Sequence, residues 1–424
     1  MINNVEVYNW AHYVPNAPFA FNGTQTNRLD PYLTLATQYG WANYMFQTNE
    51  GPSFPSHQFI LSGTSAQTAP PNTFFAAENP TGPDNENDMN NTGCTSPGGE
   101  TANIIDNSGS EDYTPVYPCF EHTTLTDLLN NAGKSWKWYA DTTGSIWTAP
   151  NAIHHICNPI AGNTCNGQDW VKNVAPYIGT GKVLLDLGVN GVNNTACQLP
   201  AVSWVIPDGA WSDHAGTGKN SAGYAFGPAW VADIVDAVGG YDNTGAKLPI
   251  QCYDVVNGQH VPYWQNTAIL ITWDDWGGWY DHVEPFSVLI NTDNNCTVWG
   301  CGYVYGFRVP FMFVSAYTPQ GFVSGTVSAS GNTCIDTLHC YDFGSILQFI
   351  ELNFGLKNIG GQNQYADFFA KSLDPTFYNS QFRQFQAILT PVPQNCFINP
   401  SAKGCFANYT GPVDPDDDEV DPTN

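Results

Sequence analysis

Residues 267–273, Thr-Ala-Ile-Leu-Ile-Thr-Trp, form an unbroken apolar run of strand length, and Asp274 and Asp275 follow it at once. A run without polar alternation has no face to give to water, so it predicts a central strand buried on both sides. Such a strand needs covering layers above and below, which in a chain of 424 residues means helices and therefore an α/β fold.

Other segments agree with that class. Residues 32–40 carry helical spacing that stops near Gly40, and a short strand is expected at 44–47. Gly51-Pro52 breaks it, and Ser53-Phe54-Pro55-Ser56-His57 opens a helix with proline in the first turn, where the missing N–H costs nothing. Helices are predicted at 124–132, 228–238 and 344–354, and strands at 135–139, 203–206 and 308–317. Residues 66–118, rich in Pro, Asn, Gly and Thr, lack a period and are expected as a surface excursion outside the core, tied down by Cys94 and Cys119. The length suits one large domain or two smaller ones; the reading preferred here is one domain over residues 1–412 and a solvated, disordered acidic tail over 413–424.

Twelve Lys and Arg against 38 Asp and Glu give a formal charge of −26, which repels polyanions and excludes nucleic acid as an expected partner. No apolar run reaches the roughly 18 to 20 residues that span a bilayer. The 12 cysteines include close pairs, Cys157 with Cys165, Cys296 with Cys301, Cys334 with Cys340 and Cys396 with Cys405, set among Gly, Asn and Pro. Without C-x-x-C or zinc spacing they read as disulfide staples, which places the chain in an oxidising compartment, secreted or periplasmic. The start, Met-Ile-Asn-Asn-Val, has no signal-peptide character, so a trimmed or incomplete beginning is expected.

Three stretches carry chemistry. Asp274-Asp275-Trp276-Gly277-Gly278-Trp279-Tyr280-Asp281-His282-Val283 follows the apolar strand. Adjacent carboxylates at a strand's carboxyl end can converge on a divalent cation, although Asp-Asp alone also reads as an acidic turn. Ser53 stands at a helix N-terminus, where a hydroxyl sits in positive backbone potential and can bind a metal that stabilises its alkoxide for attack on phosphorus; a serine before Phe-Pro is more often simply an N-cap. His214, in the loop Pro207-Asp208-Gly209-Ala210-Trp211-Ser212-Asp213-His214, can bind metal, hold a phosphate oxygen or protonate a leaving group, or simply pair with Asp213.

Together these stretches resemble the phosphoesterase family of bacterial phospholipases C and acid phosphatases, whose fold is similar to alkaline phosphatase. The likeness runs from about Tyr32 to Leu356 and includes Thr124-Leu125-Thr126-Asp127-Leu128-Leu129, Gly306-Phe307-Arg308-Val309-Pro310 and Ser345-Ile346-Leu347-Gln348-Phe349-Ile350-Glu351. It implies a three-layer sandwich with a central, mostly parallel sheet, helices on both faces and long disulfide-tied loops. It implies one divalent metal cation on Asp274, Asp275 and Ser53, with Ser53 as nucleophile, His214 at the phosphate, and His57 and His282 at positions near the site. The implied substrate is a phosphate ester, including phospholipid.

The chain departs from the family in two places. Members open with a strand and a Glu-Asn pair, as in Glu-Asn-x-Ser-Phe-Asp, and nothing between Met1 and Asp30 matches; members also often carry Asp-His-Thr-Ser where Asp342-Phe343-Gly344-Ser345 stands, leaving His339 as the nearby histidine. The alternative is a secreted binding or structural protein on the same scaffold with impaired catalysis. A serine hydrolase is disfavoured by the lack of Gly-x-Ser-x-Gly, and a zinc enzyme by the lack of His-Glu-x-x-His.

Overall fold

A computed structural model describes residues 18–21, 24–68, 75–82, 92–105, 111–191, 197–213, 223–277, 281–285, 305–325, 339–359 and 365–406. The elements that position the site are, in chain order, helix α1 (Asp30–Gln38), strand β1 (Gly40–Ala42), helix α2 (Ser53–Ser62), strands β2 (Phe75–Ala76), β3 (Ala102–Ile105) and β4 (Glu111–Val116), and helix α3 (Leu125–Asn131). They continue with β5 (Trp136–Tyr139), β6 (Val202–Val205), helix α4 (Gly223–Gly239), β7 (Ala268–Thr272), β8 (Phe311–Ser315), β9 (Phe322–Ser324) and helix α5 (Phe343–Phe354).

The chain is mixed α/β, as expected, but the described strands form several small sheets in place of one central sheet. Four strands in the order β7-β8-β1-β9 make a mixed sheet, with β7 antiparallel to β8 from Ala268↔Ser315 to Thr272↔Phe311 and β9 parallel to β1. Apart from it, β6 pairs in parallel with β5, Val202↔Trp136 to Val205↔Tyr139. The run at 267–273 was expected as a central strand; among the described residues it lies at the edge of its sheet, and all five residues of β7 are only partly buried. The expected strand at 44–47 is reduced to bridges, Met45 with Tyr341 and Phe46 with Arg308, while the regular strand falls earlier, in β1.

Pleating sorts side chains between two apolar layers. On one side, Met312 and Val314 of β8 join Leu35 of α1 and Trp230 and Val235 of α4, and Ile269 and Ile271 of β7 pack against them. On the other, Phe311 and Phe313 join Phe59 of α2 and Phe343 of α5, with Leu270 packed alongside. A neighbouring cluster holds Leu61, Leu129, Trp136, Trp138, Trp204 and Leu347. The segment read as a surface excursion contributes to this interior: Ala76 and Ala102 are buried, because β2, β3 and β4 pair as an antiparallel sheet whose inner face reaches α2. Its lack of a long period reflects strands of two to six residues, too short to show one.

Disulfides Cys94–Cys119, Cys157–Cys165 and Cys396–Cys405 form as expected, and Cys197–Cys252 adds a pairing that spacing did not suggest. Cys340 is disulfide-bonded, while Cys296, Cys301 and Cys334 lie outside the described residues, as does the acidic tail. No described helix is long and apolar enough to cross a membrane. Helix α4 buries two carboxyls against the segment that follows α5: Thr390 donates to Asp233 Oδ1 at 3.0 Å and the Ile388 N–H donates to Asp236 Oδ1 at 2.8 Å. Burial pushes Asp236 up to about 8 against the pull of that N–H, and it raises Asp233 as well.

Two stability predictions follow from these features. The Cys197–Cys252 bond closes a loop of sequence separation 55, so replacing both cysteines by alanine lowers the unfolding free energy by about 4 kcal/mol, measured by denaturant titration. Asp236 holds its proton in the folded state above the unfolded carboxyl value of 3.8, so stability falls as pH rises from about 4 to about 8. Melting temperatures across that window decline, and Asp236→Asn, which keeps the acceptor for Ile388, makes the decline shallower.

Candidate active site

Strand β7 ends at Thr272, and the chain turns over the N-terminus of α2. Pro52 in extended conformation stops the chain from continuing as a strand, and Pro55 fits the first turn because its nitrogen has no hydrogen to leave unpaired. At the other end, Gly63 takes the left-handed conformation (φ 70°) that closes the helix. Ser53 is thus fixed as the first helical residue, and its hydroxyl lies 3.5 Å from Asp275 Oδ2.

Side chains that were not among the expected site residues hold this junction. The Ser56 hydroxyl donates to the Asp274 carbonyl oxygen. Gln47 Nε2 donates to Ser56 Oγ (3.1 Å) and to the Gly51 carbonyl (2.5 Å), while Gln47 Oε1 accepts from the Trp276 N–H at 3.2 Å. One amide therefore joins Gly51, two residues ahead of α2, the first turn of α2 and the loop after β7. Gly306 is needed beside it, since a Cβ there would lie 2.6 Å from Gln47 Oε1. Asn79 Oδ1 accepts from the Phe54 N–H at 3.0 Å, satisfying a first-turn donor that the helix itself cannot.

The structure brings Ser53, His57, Asp274 and Asp275 together. His57 is buried, with Nδ1 2.9 Å from the Ser53 carbonyl oxygen and 3.4 Å from Asp274 Oδ2. The Ser53 carbonyl can only accept, so Nδ1 carries the proton and a neutral ring has its lone pair on Nε2. His282 is placed differently: its side chain is 68% exposed and pairs with Asp281 at 3.1 Å. Asp281 is in turn gripped by Arg308, whose Nη2 donates to Oδ1 at 2.9 Å and whose Nη1 donates to the Asn43 carbonyl at 2.9 Å. His214, Gly278, Trp279 and Tyr280 lie outside the described residues. Asp213, beside His214, accepts from Tyr32 OH at 2.6 Å and from Trp273, and burial raises it to about 6. Asp342 caps α5 and accepts from Tyr305 OH at 3.0 Å, and burial raises it to about 6; His339 pairs with Asp374 at 3.4 Å.

The donor atoms suit a hard cation, being two carboxylates and a hydroxyl. Asp274 Oδ2 is buried without a hydrogen-bond donor, its nearest basic neighbour being His57 at 3.4 Å. Such an oxygen is costly unless a proton or cation meets it, and the N-terminal end of α2 adds favourable potential for negative charge. Among the described residues no group of three or more His, Cys, Asp or Glu side chains forms a metal cage. A cleft of about 1360 Å³ opens from this point, with Pro52, His57, Asp274, Asp275 and Trp276 in its wall. Gln47 carries the junction, so Gln47→Ala lowers the unfolding free energy by about 1–3 kcal/mol by removing its bonds to the Gly51 carbonyl, the Ser56 hydroxyl and the Trp276 N–H, as equilibrium denaturation measures.

A model of the Phosphoesterase family matches residues 2–262 and 243–357. The non-hemolytic phospholipase C of Burkholderia pseudomallei is 27% identical over 262 residues, covering 55% of this chain and 32% of that protein. The non-hemolytic phospholipase C of Pseudomonas aeruginosa is 22% identical over 284 residues, covering 62% and 34%. Non-specific phospholipase C6 of Arabidopsis thaliana is 36% identical over 84 residues, covering 19% and 16%. The matches to the two bacterial enzymes span about a third of those proteins. With the family match extending across most of its length, the chain belongs to the Phosphoesterase family.

Proposed function

We propose that this chain hydrolyses phosphate esters with Ser53 as nucleophile, in the manner of a phospholipase C on diesters or an acid phosphatase on monoesters, outside the reducing cytosol. The observation that carries the reading is the Ser53 hydroxyl, on the first residue of a helix, set 3.5 Å from Asp275 and next to the partly buried Asp274. The names of the bacterial relatives support a phosphodiester substrate, phospholipid included. The disulfides support the oxidising compartment.

Ser53, Asp274 and Asp275 would hold one divalent cation, which when bound neutralises charge on phosphoryl oxygens and lowers the pKa of a bound hydroxyl. Ser53 Oγ forms a bond to phosphorus as the ester P–O bond breaks, and the departing oxygen takes a proton. The N-terminal dipole of α2 stabilises the added negative charge. His57, held by the Ser53 carbonyl and Asp274, orients the nucleophile's turn of helix. His214 is assigned the phosphate oxygen and the proton, and His282, on the exposed side of Asp281, is assigned to the rim. Water then displaces Ser53 from phosphorus.

A second reading, a secreted binding or structural relative without turnover, draws on the small donor set: two carboxylates and a hydroxyl are fewer than the six or more oxygens that hard cations take. Hydrolysis of para-nitrophenyl phosphate and para-nitrophenyl phosphorylcholine, with and without divalent cations and chelator, separates the two. The account predicts cation-dependent release that Ser53→Ala reduces by about 10³-fold or more with the melting curve unchanged. Undiminished release from Ser53→Ala would remove the nucleophile assignment, and no release from folded wild type would favour the binding protein.

A further inference from the structure

Ser53 is 1% exposed, so the direction of its hydroxyl is set by the backbone beside it. The residue that follows is pinned at both ends. The Phe54 ring packs edge-on against Phe120 in the core, with centroids 5.7 Å apart, and the Phe54 N–H donates to Asn79 Oδ1 at 3.0 Å. Asn79 is buried as well, at 6% exposure, and belongs to the segment that follows β2, away from every motif that carries the site.

The first turn of α2 cannot satisfy its own amides. A serine at the head of a helix ordinarily turns its hydroxyl back on the chain and accepts from the N–H two or three residues ahead. Here the residue two ahead is Pro55, which has no N–H, and the residue three ahead is Ser56, whose N–H donates to the Pro52 carbonyl at 3.3 Å. Pro52 stands at the cap position and has no side-chain acceptor to offer. The Phe54 N–H is thus a donor that must be met from elsewhere, and Asn79 meets it. The Ser53 hydroxyl is not drawn into the helix end and stands 3.5 Å from Asp275 Oδ2.

The segment that brings Asn79 is anchored independently of this contact. The Ala76 N–H donates to the Ser65 carbonyl at 2.9 Å and the Ala77 N–H to the Asn103 carbonyl at 3.0 Å, while Thr81 and Thr101 exchange both backbone bonds at 2.8 and 3.0 Å. The Ala77 carbonyl lies so close to Gly51 that a Cβ there would stand 2.3 Å from it, so only glycine admits the segment at this position. Glu78, Asn79 and Asn103 share the cleft wall with Pro52, His57 and Asp275.

We infer that Asn79 is a positioning residue for Ser53: its side-chain carbonyl, anchored through β3, fixes the Phe54 amide and with it the first turn of α2, so that the Ser53 hydroxyl is spared from capping its own helix and is held on the Asp275 side of the cleft. This role rests on the assignment of Ser53 as the nucleophile. Asn79 acts through Phe54, and its effect is one of orientation: a nucleophile held in place before the substrate arrives reacts faster without binding it more tightly.

The test combines steady-state hydrolysis of para-nitrophenyl phosphorylcholine by the full chain with hydrogen exchange read at the Phe54 amide. Asn79→Ala lowers kcat by about 10- to 100-fold with KM within about twofold, and it speeds exchange at Phe54 by at least about tenfold. Asn79→Asp keeps an acceptor of the same reach at a helix end that favours negative charge, so it restores slow exchange and recovers most of kcat. Asn79→Ser, polar but too short to reach Phe54, replaces the alanine variant if that one fails to fold. An unchanged kcat in Asn79→Ala would overturn the role, as would a loss confined to KM or an equal loss of kcat in Asn79→Asp with Phe54 protected. Ser53→Ala tells the two failures apart. Turnover that survives in Ser53→Ala, or is absent from folded wild type, removes the nucleophile assignment and this role together. Turnover that Ser53→Ala abolishes and Asn79→Ala keeps in full removes the positioning role alone.

Discussion

The hydrogen bond from the Ser56 hydroxyl to the Asp274 carbonyl, with Gln47 bridging to Trp276, is the contact on which the site depends. It fixes the N-terminus of α2 against the turn after β7. Two elements more than 200 residues apart in sequence thereby meet, with the Ser53 hydroxyl 3.5 Å from Asp275 Oδ2 and His57 3.4 Å from Asp274 Oδ2. None of the clamp's atoms is charged, so it keeps its strength across pH and salt, whereas the carboxylates it positions answer to both.

Around that contact the fold is arranged as layers. Aromatic and aliphatic side chains of β8 fill both faces of its sheet, and α4 is strapped from outside by the segment carrying Ile388 and Thr390. Among the described residues β6 and β7 belong to separate sheets, and the candidate site residues Asp274 and Asp275 sit beyond the end of β7. Ligands of α/β folds characteristically bind beyond the carboxyl ends of strands, and the same position here collects Trp273, Asp213, Asp274 and Asp275.

Much of this was legible in the sequence where the signal was local. Helical spacing at 344–354 and 32–40 gave α5 and α1 to within a few residues, and Gly51-Pro52 marked the start of α2. Ser53, His57, Asp274 and Asp275 converge, as their motifs suggested. What stayed hidden depends on partners far along the chain. Nothing about Gln47 or Ser56 distinguishes them locally, and Asp281 read as part of a motif before Arg308 appeared as its partner. The apolar run at 267–273 predicted burial on both faces, whereas β7 is only partly buried, and no local pattern could say that its outer edge would lack a described neighbour. The short strands of 66–118, two to six residues long, were missed because such lengths carry little alternation.

The central claim is that Ser53 forms a covalent bond to phosphorus. It is tested most directly by acid-quenching the protein during turnover of a para-nitrophenyl phosphate ester and reading the peptide that contains Ser53 by mass spectrometry. The account predicts a mass increment of one phosphoryl or phosphodiester group on Ser53, absent from Ser53→Ala. Rapid hydrolysis with that peptide unmodified, or with the increment on another residue, would contradict it.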